Sequence, residues 1–411
     1  MGCTYSACAL GRKKSSSIPE VAVFVPSIRI PVQIDLQRAL RGVIPRELAD
    51  KLSSLRNQIV LVAEDTGGSA IAELQRTLRE YLAVLIGLTK KEYGLEGLIE
   101  FKWKNFEEGR QDSCIPSAWF EVISAVHLMA MLTLSEADSL MIPKDHSSSG
   151  IRVVSSENKR EAVDLLLKAS GYLEFCVRNV LSHMPHEVKK TLPPDLQDGV
   201  LEAISIQALG QVTEIQLGLA VEDQKATLSV KRRLACEQVT YFSQAYHCLL
   251  GCALNKGYGK KHIRFIKWKF LEAKAAAYYY HGLILDKGNE PTSHIGAVSC
   301  FLASEELLAE SKKACLSFCL AAPVTRAPPL WGVMKRLHQK IPEIAASKSQ
   351  THGHLLEREK GIQELPELPE FQLSLSPDDY ELPQMDPAWD TKNWETLGQP
   401  LKDGADEIPT E

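Results

Sequence analysis

Between Leu36 and residue 346, apolar residues recur every three or four positions in nine stretches: 36–56, 68–88, 117–140, 157–183, 198–220, 226–254, 261–286, 295–320 and 329–346. That period gathers them on one face of a helix, so nine such segments in series restrict the chain to a mostly helical, layered body. The breaks carry turn chemistry: Pro143, the Ser147-Ser148-Ser149-Gly150 run, Pro185, Pro193-Pro194, Gly257 with Gly259, Gly288-Asn289-Glu290-Pro291 and Pro328-Pro329. Helical hairpins in series suggest a solenoid. Ala297-x3-Phe301, Trp268-x2-Leu271 and Ala162-x3-Leu166-x2-Ala169 have the small-large spacing of tetratricopeptide units, but at irregular intervals. The expectation is tetratricopeptide-like packing rather than a tandem array, with an extended surface left for a partner.

The flanks differ. Residues 18–36 (IPEVAVFVPSIRIPVQIDL) alternate apolar and polar, are β-branched and are broken by Pro19, Pro26 and Pro31, which predicts short edge strands. From Glu364 the chain is rich in proline and acid, where a helix cannot run far. Leu365, Leu368, Phe371, Leu373, Leu375, Trp389 and Trp394 would be misplaced in a solvated tail, so its first part should lie extended against the body and its end, after about Leu401, should be loose. The expected organisation is a basic N-terminal tail (1–17), a helical domain (18–370) and an acidic Pro-rich extension (371–411).

Net charge is −5, but Gly361–Glu411 alone carries −11, leaving +6 on residues 1–360. A basic body suits anionic lipid or an acidic partner; the excess is too small for a dedicated nucleic-acid binder, and no recognition motif for one is present. The most apolar run, Val122–Leu134, is 13 residues long and contains His127, so it reads as a buried helix rather than a membrane span. The first 17 residues have no apolar h-region, which predicts a cytosolic protein.

No H-E-x-x-H, G-x-S-x-G or G-x-x-x-x-G-K-[ST] motif occurs. NKGYGKKH at 255–262 places Lys261 where a phosphate loop needs Ser or Thr, and it joins two helices. Ten cysteines and eleven histidines leave a Cys-His hydrolase as an alternative without any local signature. The cysteines are scattered through helical segments, which favours reduced thiols. Cys248/Cys252 and Cys315/Cys319 share helix faces without histidine partners, so core packing is expected rather than zinc, and no metal or cofactor is expected.

Two features point to a membrane. The opening MGCTYS matches the N-myristoylation pattern, with Gly2 as acceptor and Ser6 as the required hydroxyl. One acyl chain binds only marginally, and the second signal is at hand in Cys3, placed for palmitoylation, and in Arg12-Lys13-Lys14. The second is a helix with a basic face, Lys260, Lys261, His262, Arg264, Lys267, Lys269 and Lys274, interleaved with Ile263, Phe265, Ile266, Trp268, Phe270 and Leu271. Lys260, Lys261, Arg264 and Lys267 are expected to face the membrane.

FKWKN at 101–105 followed by AWFEVISAVHLMAMLTL at 118–134 resembles the Bro1 domain, with its F-x-W-x-[DN] element and a long apolar helix bearing Phe-Glu near its start. AAAYYYHGLILDKGNEPTSHIGAVSCFLASEELLAES at 275–311 resembles that domain's Tyr-His helix and the Gly-Ala helix after it. The resemblance covers roughly residues 20–370. It implies a mainly α fold, a curved helical solenoid with a tetratricopeptide-like core and a small N-terminal β element. It also implies a non-enzymatic adaptor that binds the C-terminal amphipathic helix of an ESCRT-III subunit in endosomal sorting and membrane remodelling, on the cytosolic face of endosomal or plasma membrane. The alternative is a tetratricopeptide-like scaffold for another peptide. Matching ACEQVTYFSQAY (235–246) to the family's helix puts Leu217, Val230 and Leu234 at the apolar contact positions, the last two one turn apart in the basic run SVKRRL. Gly353-His354-Leu355-Leu356 departs from the Asn followed by Ile-Tyr of many members. The chain resembles Bro1-only members such as the Brox type and their plant counterparts. It ends in Ile408-Pro409-Thr410-Glu411 rather than a prenylated CaaX box, so the anchor is expected at Gly2 and Cys3 instead.

Overall fold

Asp35 accepts a hydrogen bond from the Arg38 N–H at 2.9 Å and starts a one-turn helix, α1 (Leu36–Ala39). Gly42, at φ 73°, then reverses the chain, and Pro45 precedes α2 (Arg46–Glu64). The expected single helix over 36–56 is thus two, because a left-handed residue cannot continue a right-handed helix. In this computed structural model the described residues are 23–26, 28–64, 70–105, 112–145, 152–252, 254, 257–325, 332–358 and 365–390.

Helix α3 (Ala70–Leu85) leads to the strands, and then come α4 (Ala118–Leu140), α5 (Ser156–Phe175), the short α6 (Leu181–His183) and α7 (His186–Thr191). A π-turn, Cys176–Val180, joins α5 to α6. The remaining helices are α8 (Asp198–Glu222), α9 (Leu228–Leu249), α10 (Gly257–Leu285), α11 (Pro291–Leu320) and α12 (Gly332–Arg358). Helix α12 continues past the expected end at 346 and carries Pro342 inside it. From α4 onward each long helix packs on the next, α4 on α5, α5 on α8, α8 on α9, and so on to α12. The expected class, mainly α with a small N-terminal β element, is the one observed.

Strand β1 (Arg29–Pro31) pairs antiparallel with β2 (Phe101–Asn105), which pairs antiparallel with β3 (Asp112–Ile115); β4 (Lys144–Asp145) and β5 (Arg152–Val153) form a separate two-stranded pair. Among the described residues before Leu36, the periodicity therefore marks one strand rather than several. Val23, Phe24 and Val25 are buried but make no ladder. Phe24 instead stacks on Phe265 and His262, and its carbonyl accepts from Gln207 Nε2 at 2.9 Å.

Helix α4 contains the run Val122–Leu134, every residue of which is buried. Glu121 at its start is fully buried and collects the sequence motifs into one polar cluster. Trp103 Nε1–H on β2 donates to Glu121 Oε2 at 2.5 Å, while Arg56 Nε (2.8 Å) and the Tyr81 hydroxyl (2.9 Å) donate to Oε1. Arg56 also donates to the carbonyls of Val32 (2.5 Å) and Lys102 (3.1 Å), tying α2 to the sheet. Burial, and then the Glu121 charge, push the Tyr81 hydroxyl well above its ordinary pKa, so it stays a donor.

Two apolar cores result. The larger joins α2 to α5 with the first part of α8 and α10; the second holds Leu217, Ala235, Ala276, Ala297, Phe301, Leu308, Leu337 and Ile341 from α8 to α12. Ala297 and Phe301, the small-large pair singled out in the sequence, are fully buried there.

Residues 365–390 have no regular structure apart from one turn at Pro387–Trp389, yet they form a strap across the body. Leu368 and Phe371 pack on the second core, Ser374 N–H and Oγ donate to Glu237 Oε2 at 3.1 and 2.6 Å, and Leu375 exchanges hydrogen bonds with the Tyr241 hydroxyl. Further on, Asp378 N–H donates to the Leu167 carbonyl at 3.2 Å, where a Cβ on Gly171 would lie 2.1 Å from the Asp378 oxygen. Tyr380 packs edge-on against Tyr172 and Phe175. Trp389 closes the strap, fully buried, with Nε1–H donating to the Val84 carbonyl at 2.8 Å.

Candidate partner-binding surface

Thr227 caps α9, its hydroxyl accepting from the Val230 N–H at 3.4 Å, so the basic run Lys231-Arg232-Arg233 occupies the first turns of that helix. Val230 is 46% exposed in the first turn of α9, the other exposed large apolar side chain of that helix being Tyr246 near its far end. Leu234, one turn on, is half-buried and packs its inner side on the second core. Leu217 is different: at 1% exposure it belongs to that core. Helix α8 is covered there by α9 and α12, so Leu217 supports the surface from beneath instead of touching a partner.

Cations flank the apolar pair. Arg233 pairs with Glu237 at 2.7 Å, and the guanidinium groups of Arg232 and Arg233 sit over the Phe371 ring at 5.9 and 6.0 Å. Arg232 Nη1 lies 3.3 Å from His281 Nδ1, and burial, then Arg232, lower the pKa of that imidazole. Thus the histidine of the Tyr-His segment lies beside the basic run, a juxtaposition invisible in the sequence because 49 residues separate the two. Phe371 was legible as a residue too apolar for a free tail, but not as a neighbour of α9, and Ser374 carried no signal in the sequence.

The basic helix α10 is partly corrected. Lys260 and Lys267 are exposed and Arg264 is half-exposed; they follow one another at i, i+4 and i+7 on a single face. Lys261 is 2% exposed and does not face a membrane: its ammonium donates to the Pro323 carbonyl at 2.5 Å and to Thr325 Oγ1 at 3.0 Å, over the Phe318 ring at 4.6 Å. A step of one residue turns a helix by about 100°, so Lys260 and Lys261 cannot share a face, and α10 is packed between α9 and α11. Lys269 is likewise buried, between Glu214 at 2.8 Å and Glu272 at 3.1 Å. Exposed Leu316 and Leu320 at the end of α11 adjoin the face, since Arg264 Nη1 donates to the Ser317 carbonyl at 2.8 Å. Gly2, Cys3, Arg12, Lys13 and Lys14 lie outside the described residues.

Burial pushes Cys236 and Cys248 up to about 11 and Cys300 up to about 12, whereas a nucleophilic cysteine needs a lowered pKa.

Comparison with known proteins adds relatives. The BRO1 domain-containing protein BROX of Mus musculus is 23% identical over 376 residues, covering 87% of this chain and 85% of its own length. A BROX homolog of Caenorhabditis elegans is 25% identical over 231 residues, 51% of each chain. Among solved structures, ALIX in complex with a late-domain peptide superposes with a TM-score of 0.64 at 16% identity, covering 90% of this chain and 51% of that one. A complex of the ALIX BRO1 domain and CHMP4C gives 0.61 at 16% identity, covering 89% and 96%. This chain thus spans about half the length of that ALIX chain, and its match to the nematode relative spans about half of each. At such identities the structural likeness establishes the fold. The family model described as BRO1-like domain matches residues 34–346, most of the sequence, and the chain belongs to the BRO1-like domain family.

Proposed function

We propose that this protein is a non-enzymatic, membrane-attached adaptor whose α9 surface binds the C-terminal amphipathic helix of an ESCRT-III subunit in endosomal sorting and membrane remodelling. The observation that carries the reading is Val230, exposed one turn before half-buried Leu234, the two bracketing Lys231-Arg232-Arg233. An apolar pair ringed by cations suits an acidic amphipathic helix laid into a shallow groove. Family membership supports it, as does the likeness to the ALIX BRO1 domain solved with CHMP4C.

Val230 is the residue to test, because it contributes little to the core. In calorimetric titration with an ESCRT-III C-terminal helix peptide, Val230→Asp is expected to weaken binding about 30- to 1000-fold, roughly 2–4 kcal/mol, at an unchanged urea midpoint. Undiminished affinity would overturn the assignment. Leu234→Asp should lower both affinity and stability, since one side of Leu234 is already in the core.

The attachment rests on Gly2 and Cys3 as acyl sites with Arg12, Lys13 and Lys14 over anionic lipid, on the cytosolic face of endosomal or plasma membrane. Lys260, Arg264 and Lys267 present a second basic face, worth about 1 kcal/mol per residue near such a surface. Gly2→Ala is expected to move the protein to the soluble fraction of cell lysates, and Cys3→Ser to leave weak, reversible binding. Equal membrane fractions for wild type and Gly2→Ala would contradict the anchor while leaving the peptide result intact.

A further inference from the structure

Helix α10 ends at Leu285, and the chain returns through the Gly288–Pro291 turn into α11. Asp286 follows the first helix, His294 lies in the opening turns of the second, and His352 approaches from α12. One ligand atom from each of these three residues lies within 4.8 Å of the other two. Asp286 Oδ1 and His294 Nδ1 are buried atoms that face each other across 3.5 Å without forming a hydrogen bond. Ser349 Oγ, one turn before His352, is also buried and makes no hydrogen bond. Such atoms cost free energy, and the two that face each other across one gap call for a shared partner.

We infer that Asp286, His294 and His352 bind a divalent transition-metal ion of the zinc class. Two imidazole nitrogens and one carboxylate oxygen form a donor set that zinc accepts, with water completing the tetrahedron; magnesium and calcium prefer oxygen donors throughout. Lys348 Nζ holds the other carboxylate oxygen of Asp286 at 2.6 Å, which orients the carboxylate and leaves Oδ1 for the ion. The two imidazoles stack with centroids 4.7 Å apart and planes at 8°, so their lone pairs lie in near-parallel planes and do not meet at one point. Binding therefore turns the half-exposed His352 about χ2 until its nitrogen, His294 Nδ1 and Asp286 Oδ1 all face the ion. The ion pins α12 to the α10–α11 turn at the end of the second core.

The test titrates the full chain with Co²⁺ in the presence of a phosphine reductant. One equivalent should bind with the visible d–d band of four-coordinate cobalt, no thiolate-to-cobalt charge-transfer band, and displacement by Zn²⁺. His294→Ala and His352→Gln should each weaken Co²⁺ binding at least about tenfold, a loss that follows even from removing a group hydrogen-bonded to a metal ligand. Circular-dichroism melts in chelator establish that each variant folds; if His294→Ala does not, the half-exposed His352→Gln decides alone. Failure to bind Co²⁺, a thiolate band that reports the cysteines, or undiminished binding by a folded His352→Gln variant would overturn the site.

Discussion

Replacing Glu121 by alanine is expected to destabilise the protein by about 3–5 kcal/mol, because it leaves the Arg56 guanidinium, 1% exposed, as an unpaired buried charge. The loss extends beyond one pair. Trp103 Nε1–H and the Tyr81 hydroxyl would lose their acceptor at the same time, and β2, α2 and α3 would lose the group that joins them to α4. Urea unfolding followed by tryptophan fluorescence checks it, since Trp103 is itself in the cluster. A double variant, Arg56→Met with Glu121→Leu, should recover part of the loss, because removing both charges removes the cost of burying one alone. A loss under about 1 kcal/mol for Glu121→Ala would mean that water reaches the cluster.

Trp389→Ala should cost about 3–5 kcal/mol if the strap stays in place, as for other large aromatic truncations in a core. The indole is fully buried, donates to the Val84 carbonyl and packs on Tyr93 at 5.2 Å. A Cβ on Gly87 would fall 1.9 Å from the indole, so Gly87→Ala should expel the same ring from the other side. The strap has a cheaper response than global unfolding, which is to peel away from its C-terminal end. Limited proteolysis should then cut Trp389→Ala and Gly87→Ala within 365–390 at concentrations that leave wild type intact. Resistance equal to wild type would show that the rest of the strap holds without its anchor.

Helices such as α2 and α3 were legible because an apolar stripe recurs at the 3.6-residue period, and α4 because its apolar run is too long for a strand; their serial packing followed from short turns between them. Pairing of β1 with β2 was not legible, since Arg29 and Asn105 meet across 76 residues and register is set by tertiary contacts. The strap shows both limits. Leu368, Phe371 and Trp389 announced burial through their apolarity, but nothing local says that Phe371 lies under Arg232 and Arg233. At the surface, the i,i+4 spacing of Val230 and Leu234 correctly put them on one face, while Leu217 sits on a helix that α12 covers from a distance of more than a hundred residues in sequence. Lys261 failed for a related reason: composition counts a cation wherever it occurs, and only packing reveals that its ammonium is spent on the carbonyls after α11.

Amide hydrogen exchange of the full chain, with and without a saturating ESCRT-III C-terminal helix peptide, tests the central claim most directly. The opening amides of α9 lack intrahelical acceptors, so a helix docked over Val230 and Leu234 should slow their exchange measurably. The account predicts slowing concentrated at 228–240 and at 368–375, where the strap adjoins α9, and little change on the Lys260–Lys267 face. Peptide binding that leaves 228–240 unchanged while protecting another region would contradict it.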